Sequence, residues 1–117
     1  MAQLAYLLKS MDAVDEGDGT LLDHSAVLFS SEIEDGDTHS HYNLPVLVGG
    51  GLGGAIPTGT HLRTPYNAPL GSLFLTLLGG LGVPASHFGD DGSGPLALGS
   101  DHPGTVLGRP MQTPPAI

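Results

Sequence analysis

The sequence predicts an α/β fold, and three observations predict it. Leucines recur at helical spacing in two separate segments, one near the N-terminus and one between residues 70 and 81. Two apolar runs of strand length, 26–29 and 44–48, lie between those segments. The resulting order is helix, strand, acidic loop, strand, turn, helix, which is the alternation of an α/β chain.

Leu4, Leu7, Leu8 and Met11 stand at i, i+3, i+4 and i+7, an amphipathic helix of about three turns. It stops in Asp15-Glu-Gly-Asp-Gly19, a solvated acidic turn. Ala26-Val-Leu-Phe29, bounded by polar residues, fits a buried strand. Fourteen polar residues follow, Ser30 to Asn43. Leu44-Pro-Val-Leu-Val48 reads as a second buried strand, with Pro45 at its start where a missing N–H is tolerated. Gly49 to Gly54 (GGGLGG) is a flexible turn, and residues 55–63 form a short hairpin or edge strand.

Leu70, Leu73, Phe74, Leu77, Leu78 and Leu81 mark the clearest helix, with Asn67 as N-cap and Pro69 in the first turn. Gly82-Val-Pro84 ends it. From Gly89 onward there are six glycines and five prolines in 29 residues, so 89–117 is expected to be an extended or disordered arm. The domain organisation read from this is an α/β segment over 1–88 followed by the arm. Two strands do not make a sheet covered on both faces. The chain is therefore expected to associate with a partner protein or with itself, or to be a portion of something larger.

The chain of 117 residues holds one domain at most. Its apolar share of 39% permits a core, while only three Phe, three Tyr and no Trp keep that core modest. Twelve acidic residues face three basic ones, a net charge of −9, which repels nucleic acid and disfavours anionic lipid surfaces. Such a balance suits solubility, cation binding or a basic partner. With no cysteine, disulfides, thiolate zinc sites and cysteine nucleophiles are excluded. The longest strongly apolar run, Leu70 to Val83, is too short for the roughly 20 residues of a membrane span. The first residues lack the basic start and small-residue cleavage site of a secretory signal.

Chemistry concentrates in Ser30-Ser-Glu-Ile-Glu-Asp-Gly-Asp-Thr-His-Ser-His41, where Glu32, Glu34, Asp35, Asp37, His39 and His41 place six potential ligands in ten residues. Carboxylate and imidazole together suit zinc, manganese or iron(II), and carboxylates alone suit calcium or magnesium. On an extended backbone His39 and His41 project to one face. Glu32 lies just past a strand end, where α/β proteins place ligands. Glu32, His39 and His41 are thus the candidate metal ligands. The bland alternative is an exposed acidic loop with solvated histidines.

Other constellations take structural readings. GGGLGG formally satisfies G-x-G-x-x-G, but Pro57 and Gly59 forbid the helix that would receive a pyrophosphate, so no nucleotide is expected. A tight turn with close backbone approach fits instead. Asp12, Asp15, Glu16 and Asp18 lack calcium-hand spacing and read as a solvated turn. His24, after Asp23 at a strand entrance, reads as a structural hydrogen-bonding residue. Ser30 and Ser31 lack the strained G-x-S-x-G elbow of a nucleophile. His61, His87 and His102 are scattered singly and read as exposed.

The phrases AYLLKSMDAVDEGDGTLLDHSAVLFSSEIEDGDTHSHYNLPVLVGG, GTHLR and APLGSLFLTLLGGLGVPASHFGD together resemble the C-terminal part of a bacterial family named for a HXXSHH motif. Its full-length members usually carry a twin-arginine export signal, and it is grouped with the alkaline-phosphatase-like, sulfatase-like hydrolases. The likeness covers about residues 3–90 and is most specific in GDGTLLDHS and the HSHxNLPxLxGG phrase. It implies a partial alkaline-phosphatase-like sheet and a periplasmic or extracytoplasmic location. It also implies that Glu32 is the strand-end metal-binding acid, that His39 or His41 is the downstream histidine, and that Asn43 holds the loop. Only HSH of the named motif is present here. The superfamily's nucleophile and its other metal ligands belong to a region N-terminal to the part resembled. The expectation is an accessory, non-catalytic metal-binding protein of that descent working with a partner chain. The alternative is an active metal-dependent hydrolase whose site another chain or region completes.

Overall fold

Residues 1–64 and 68–98 are described by a computed structural model, whose elements run α1 (Ala2–Asp12), β1 (Val27–Ser30), β2 (Val46–Gly49), a 3₁₀ turn (Leu52–Gly54) and α2 (Leu70–Gly80). Among the described residues the fold class is mixed α/β, built from two helices and one two-stranded antiparallel sheet. The chain divides into two units, Met1–Thr58 and a second that begins at Gly59. Among the described residues no helix is long and apolar enough to cross a membrane.

In the first unit the spacing of Leu4, Leu8 and Met11 sets the half-buried side of α1, while Leu7 stays 46% exposed. Lys9 stands in the last turn, where a cation complements the helix dipole. The chain then reverses through the expected acidic turn. The Asp15 carboxylate accepts the Gly17 N–H at 2.8 Å, and the Glu16 N–H donates to the Gly19 carbonyl at 2.8 Å.

β1 and β2 pair antiparallel in the register Val27↔Gly49, Leu28↔Val48, Phe29↔Leu47 and Ser30↔Val46. Pro45 falls just before β2 and withholds no ladder donor. Period-2 alternation puts Val27, Phe29, Leu47 and Gly49 on one face. That face meets α1 through Leu8, whose Cδ2 would stand 2.8 Å from a Cβ built on Gly49. Neither strand is buried as expected, because two antiparallel strands with one short helix leave much of their surface open. Phe29 and Leu47, paired directly across the sheet, are 45% and 47% exposed.

After β2 the glycine cluster folds against residues 22–25. Gly50 has φ +98, and a Cβ there would collide with the Ser25 carbonyl oxygen and approach the Leu22 carbonyl oxygen at 2.8 Å. The amides of Gly51, Leu52 and Gly53 donate to the carbonyls of Leu22, Ser25 and Asp23 at 3.3, 3.0 and 2.8 Å. This is the tight turn with close backbone approach that the glycines foretold, and it drives Leu52 and Ile56 into the core. Residues 55–64 contain no strand, contrary to the expected hairpin. Pro57 removes a donor there and Gly59 takes φ +66, so a ladder has nothing to run along.

The second unit is organised around α2. Its expected N-cap, Asn67, lies outside the described residues, and Pro69 occupies the N-cap position rather than the first turn. The helix ends in a Schellman motif: Gly82 at φ +76, Gly82 N–H to the Gly79 carbonyl at 3.1 Å, and Val83 N–H to the Leu78 carbonyl at 2.9 Å. Its buried residues are Ser72, Leu73 and Leu75, which departs from the expected leucine stripe. Leu81, placed in that stripe, is 62% exposed.

Phe88 and the first part of the expected arm, as far as Leu96, pack along α2. Leu96 N–H donates to the Ser72 carbonyl at 3.0 Å, and Thr76 Oγ1 lies 2.7 Å from the Leu96 carbonyl oxygen. The Phe74 and Phe88 rings meet edge to face at 5.0 Å. Gly71 and Gly92 make the approach possible: a Cβ on Gly71 would stand 2.7 Å from the Phe88 carbonyl oxygen and 3.1 Å from Gly92 Cα. The arm's remainder from residue 99, including His102, lies outside the described residues.

Candidate functional site

The loop between β1 and β2 is organised by Asp35. Its carboxylate accepts the Asp37 N–H at 2.9 Å and the Thr38 hydroxyl at 3.0 Å, and its carbonyl accepts the His39 N–H at 2.8 Å. An acidic side chain bonding to the backbone two residues on is a local turn device. The Asp37 amide, then the Thr38 hydroxyl, hold the Asp35 carboxyl below its ordinary 3.8. The Glu34 N–H donates to the Ser40 carbonyl at 2.8 Å, and Asp35 and Ser40 bridge antiparallel, so the loop closes on itself.

This turn alters the relation expected between the two histidines. His39 has φ +55 and Asn43 φ +54, left-handed values that His and Asn tolerate better than most residues. The backbone from His39 to His41 is therefore not extended, and alternation along a strand does not bring their rings to one face.

His41 is placed by a different contact. Its Nδ1 lies 2.9 Å from the carbonyl oxygen of Glu32. A carbonyl only accepts, so Nδ1 carries the proton, and in the neutral ring Nε2 presents its lone pair outward. Histidine ligands of metals are commonly oriented by this kind of bond. Glu32, two residues beyond β1, is exposed, as are His39 and His41. Asn43 Nδ2 donates to Glu34 Oε1 at 3.3 Å, so Asn43 braces the loop through Glu34.

The donors fit a metal only in part. Asp35 is engaged in its turn and Glu34 with Asn43. Among the described residues no group of three or more His, Asp or Glu side chains is arranged to hold a metal ion. What the loop brings together is one oriented imidazole and the backbone of the strand-end acid. Ser31 Oγ donates to the Ile33 carbonyl at 2.7 Å and so serves the local turn.

Beside the loop, Phe29, Ser30, Ser31, Pro45, Leu47 and Met1 line a cavity of about 280 Å³. Phe29 and Leu47 bring to it the face of the sheet that they share with Val27 and Gly49. Sequence reasoning took Phe29 and Leu47 as core. The short length of the apolar runs was the signal that one face would remain open.

The second acidic cluster has a role that its composition did not announce. His24 Nδ1 lies 2.8 Å from Glu16 Oε1 and its Nε2 lies 3.3 Å from Asp18 Oδ1. The structural reading of His24 therefore holds, with partners six and eight residues earlier in the chain. His61 and His87 are exposed, as expected.

No protein-family model matches the chain, and no curated protein and no solved structure matches it.

Proposed function

We propose that this chain is a non-catalytic, accessory α/β protein that works against a partner chain and is descended from the metal-dependent, alkaline-phosphatase-like family it resembles. One observation carries the reading. Phe29 and Leu47 form a directly opposed apolar pair at the open end of a two-stranded sheet, and each is nearly half exposed. Among the described residues the buried apolar side chains are two in each unit, Leu52 with Ile56 and Leu73 with Leu75. Interiors that small supply little of the burial that offsets chain entropy, and association is a common remedy. The partner is a protein or a second copy of the chain, and the acidic surface favours a basic one.

The 30–43 loop supplies a metal half-site in this reading. His41 offers an oriented nitrogen, and Glu32 and His39 are the further donors, with the shell completed by the partner. Zinc, manganese and calcium are the cations to test. The active-hydrolase alternative needs the same completion and a nucleophile besides.

The test uses untagged protein isolated natively from the cells that make it. Size-exclusion chromatography should place the native chain in a larger species, and Phe29→Ser with Leu47→Ser should return it to the mass of the single chain, 11.9 kDa. Metal analysis of the larger species should find a divalent cation that His39→Ala with His41→Ala removes. A native chain that elutes alone at 11.9 kDa overturns the partner reading. A metal-free larger species overturns the half-site.

A further inference from the structure

We propose that His24 is a pH-operated latch, which in its protonated form locks the acidic turn 15–24 beneath the glycine-rich turn and so secures the core of the first unit. The argument begins with hydrogen-bond chemistry. Both ring nitrogens of His24 face carboxylate oxygens, Glu16 Oε1 at 2.8 Å and Asp18 Oδ1 at 3.3 Å. Ionised carboxylates only accept, so Nδ1 donates to Glu16, while Nε2 stands at ion-pair distance from Asp18, and only the imidazolium turns a proton toward both. The neutral ring leaves one lone pair aimed at an anion.

The charged groups that face His24 are Glu16, Asp18 and Asp23, all acidic. The glycine-rich turn packed against this segment contributes backbone amides and no charge. The Glu16 hydrogen bond first, then the negative charges of Asp18, Glu16 and Asp23, raise the pKa of His24 above its ordinary 6.5, against the opposing effect of its partial burial.

What the latch holds is visible in the next bonds along the chain. Asp23 is fixed on Thr20, its carboxylate accepting the Thr20 N–H at 2.8 Å and its own N–H donating to Thr20 Oγ1 at 3.2 Å. His24 N–H donates to the Thr20 carbonyl at 3.3 Å. The carbonyls on either side of His24, those of Leu22, Asp23 and Ser25, accept the amides of Gly51, Gly53 and Leu52. Leu52 holds its left-handed φ of +48 and its buried side chain through that set. The ring's two ion pairs and the turn's three amide bonds therefore share one short backbone segment.

The sign follows from the direction of the shift. A histidine whose folded pKa is raised stabilises fully below 6.5, and this contribution is lost as pH rises through the folded pKa. The latch is closed on the acid side and released on the alkaline side.

The experiment is an NMR titration of the native chain, following the His24 ring and the exchange protection of the Gly51, Leu52 and Gly53 amides from below to well above pH 6.5. The ring should titrate above 6.5, and protection should fall across that same titration. Linkage fixes the size: about a tenfold loss for each pH unit by which the ring's titration is displaced. In Glu16→Gln with Asp18→Asn the ring's titration should move down and the pH dependence shrink with it, and His24→Gln should abolish the dependence while His87→Gln leaves it. A ring that titrates at or below 6.5, or protection that stays level while the ring titrates, overturns the latch. The native chain decides both points without any substitution.

Discussion

Nδ1 of His41 lies 2.9 Å from the carbonyl oxygen of Glu32, nine residues earlier, and this bond ties the far side of the acidic loop to the residue that leaves β1. It fixes the tautomer of His41 and turns Nε2 outward as the ring's accepting nitrogen. Among the candidate ligands, this geometry favours His41. Zinc titration by calorimetry should show His41→Ala weakening binding by at least about tenfold, the scale on which metal sites respond to loss of supporting groups. Equal affinity in the native chain and the His41→Ala variant would remove His41 from the site.

Asp35 sets the pH floor of the same loop. Its carboxyl is held below 3.8 by the Asp37 amide and the Thr38 hydroxyl. An acid with a depressed folded pKa stabilises above its unfolded value, and that contribution disappears as pH falls through the folded pKa. The Asp37 amide should therefore keep its protection through pH 3.8 and lose it only in more acidic solution. Thr38→Ala should move the Asp35 titration upward, as read by carboxyl-carbon NMR.

Three glycines of the second unit separate close approach from simple flexibility. Alanine at Gly71 places a Cβ 2.7 Å from the Phe88 carbonyl oxygen, a backbone atom that cannot rotate away. Gly71→Ala and Gly92→Ala should each cost about 1–3 kcal/mol in denaturant unfolding and expose the Leu96 amide to exchange. Gly79, inside α2 with open space at its Cβ position, should behave oppositely. Gly79→Ala should gain roughly 0.5–1 kcal/mol from helix propensity alone.

Thr76 provides an independent check on the docking of residues 88–96. Thr76→Val keeps the shape and removes the hydroxyl that reaches the Leu96 carbonyl at 2.7 Å. The loss should be about 1 kcal/mol, and somewhat more if the carbonyl is left without a donor. An unchanged unfolding midpoint would show that the Phe74–Phe88 contact and the glycine approach suffice.

In the first unit Gly50 and Gly53 both have positive φ but differ in surroundings. Gly53→Ala meets open space at φ +66 and should cost about 1 kcal/mol of left-handed strain. Gly50→Ala adds collision with the Ser25 carbonyl at φ +98, and should cost about 3 kcal/mol. Thermal unfolding that ranks the two equally would contradict the packing of the glycine turn on residues 22–25.

The candidate site was partly legible before folding. The concentration of donors between Ser30 and His41 can be read from residue types, whereas the bracing role of Asn43 is an expectation of the family resemblance. The relation of His39 to His41 could not be, because it rested on an extended backbone that the Asp35 turn replaces. The partnership of His24 with Glu16 and Asp18 was equally hidden, since it depends on how the chain reverses at Gly17 and Gly19.

The sequence by itself determined the features governed by local sterics and hydrogen bonding. These are the extent of α1, the acidic turn and the Schellman end of α2 at Gly82-Val83-Pro84. Each depends on atoms within a few residues, so residue type is enough. Tertiary structure decided which side of α2 is buried, because LGSLFLTLLGG is apolar at too many positions for periodicity to choose a face. The choice fell to Gly71 and Gly92, twenty-one residues apart, whose missing side chains admit the Phe88–Leu96 segment. The exposure of Phe29 and Leu47 is of the same kind: burial depends on what else reaches the sheet, and here each is left nearly half exposed.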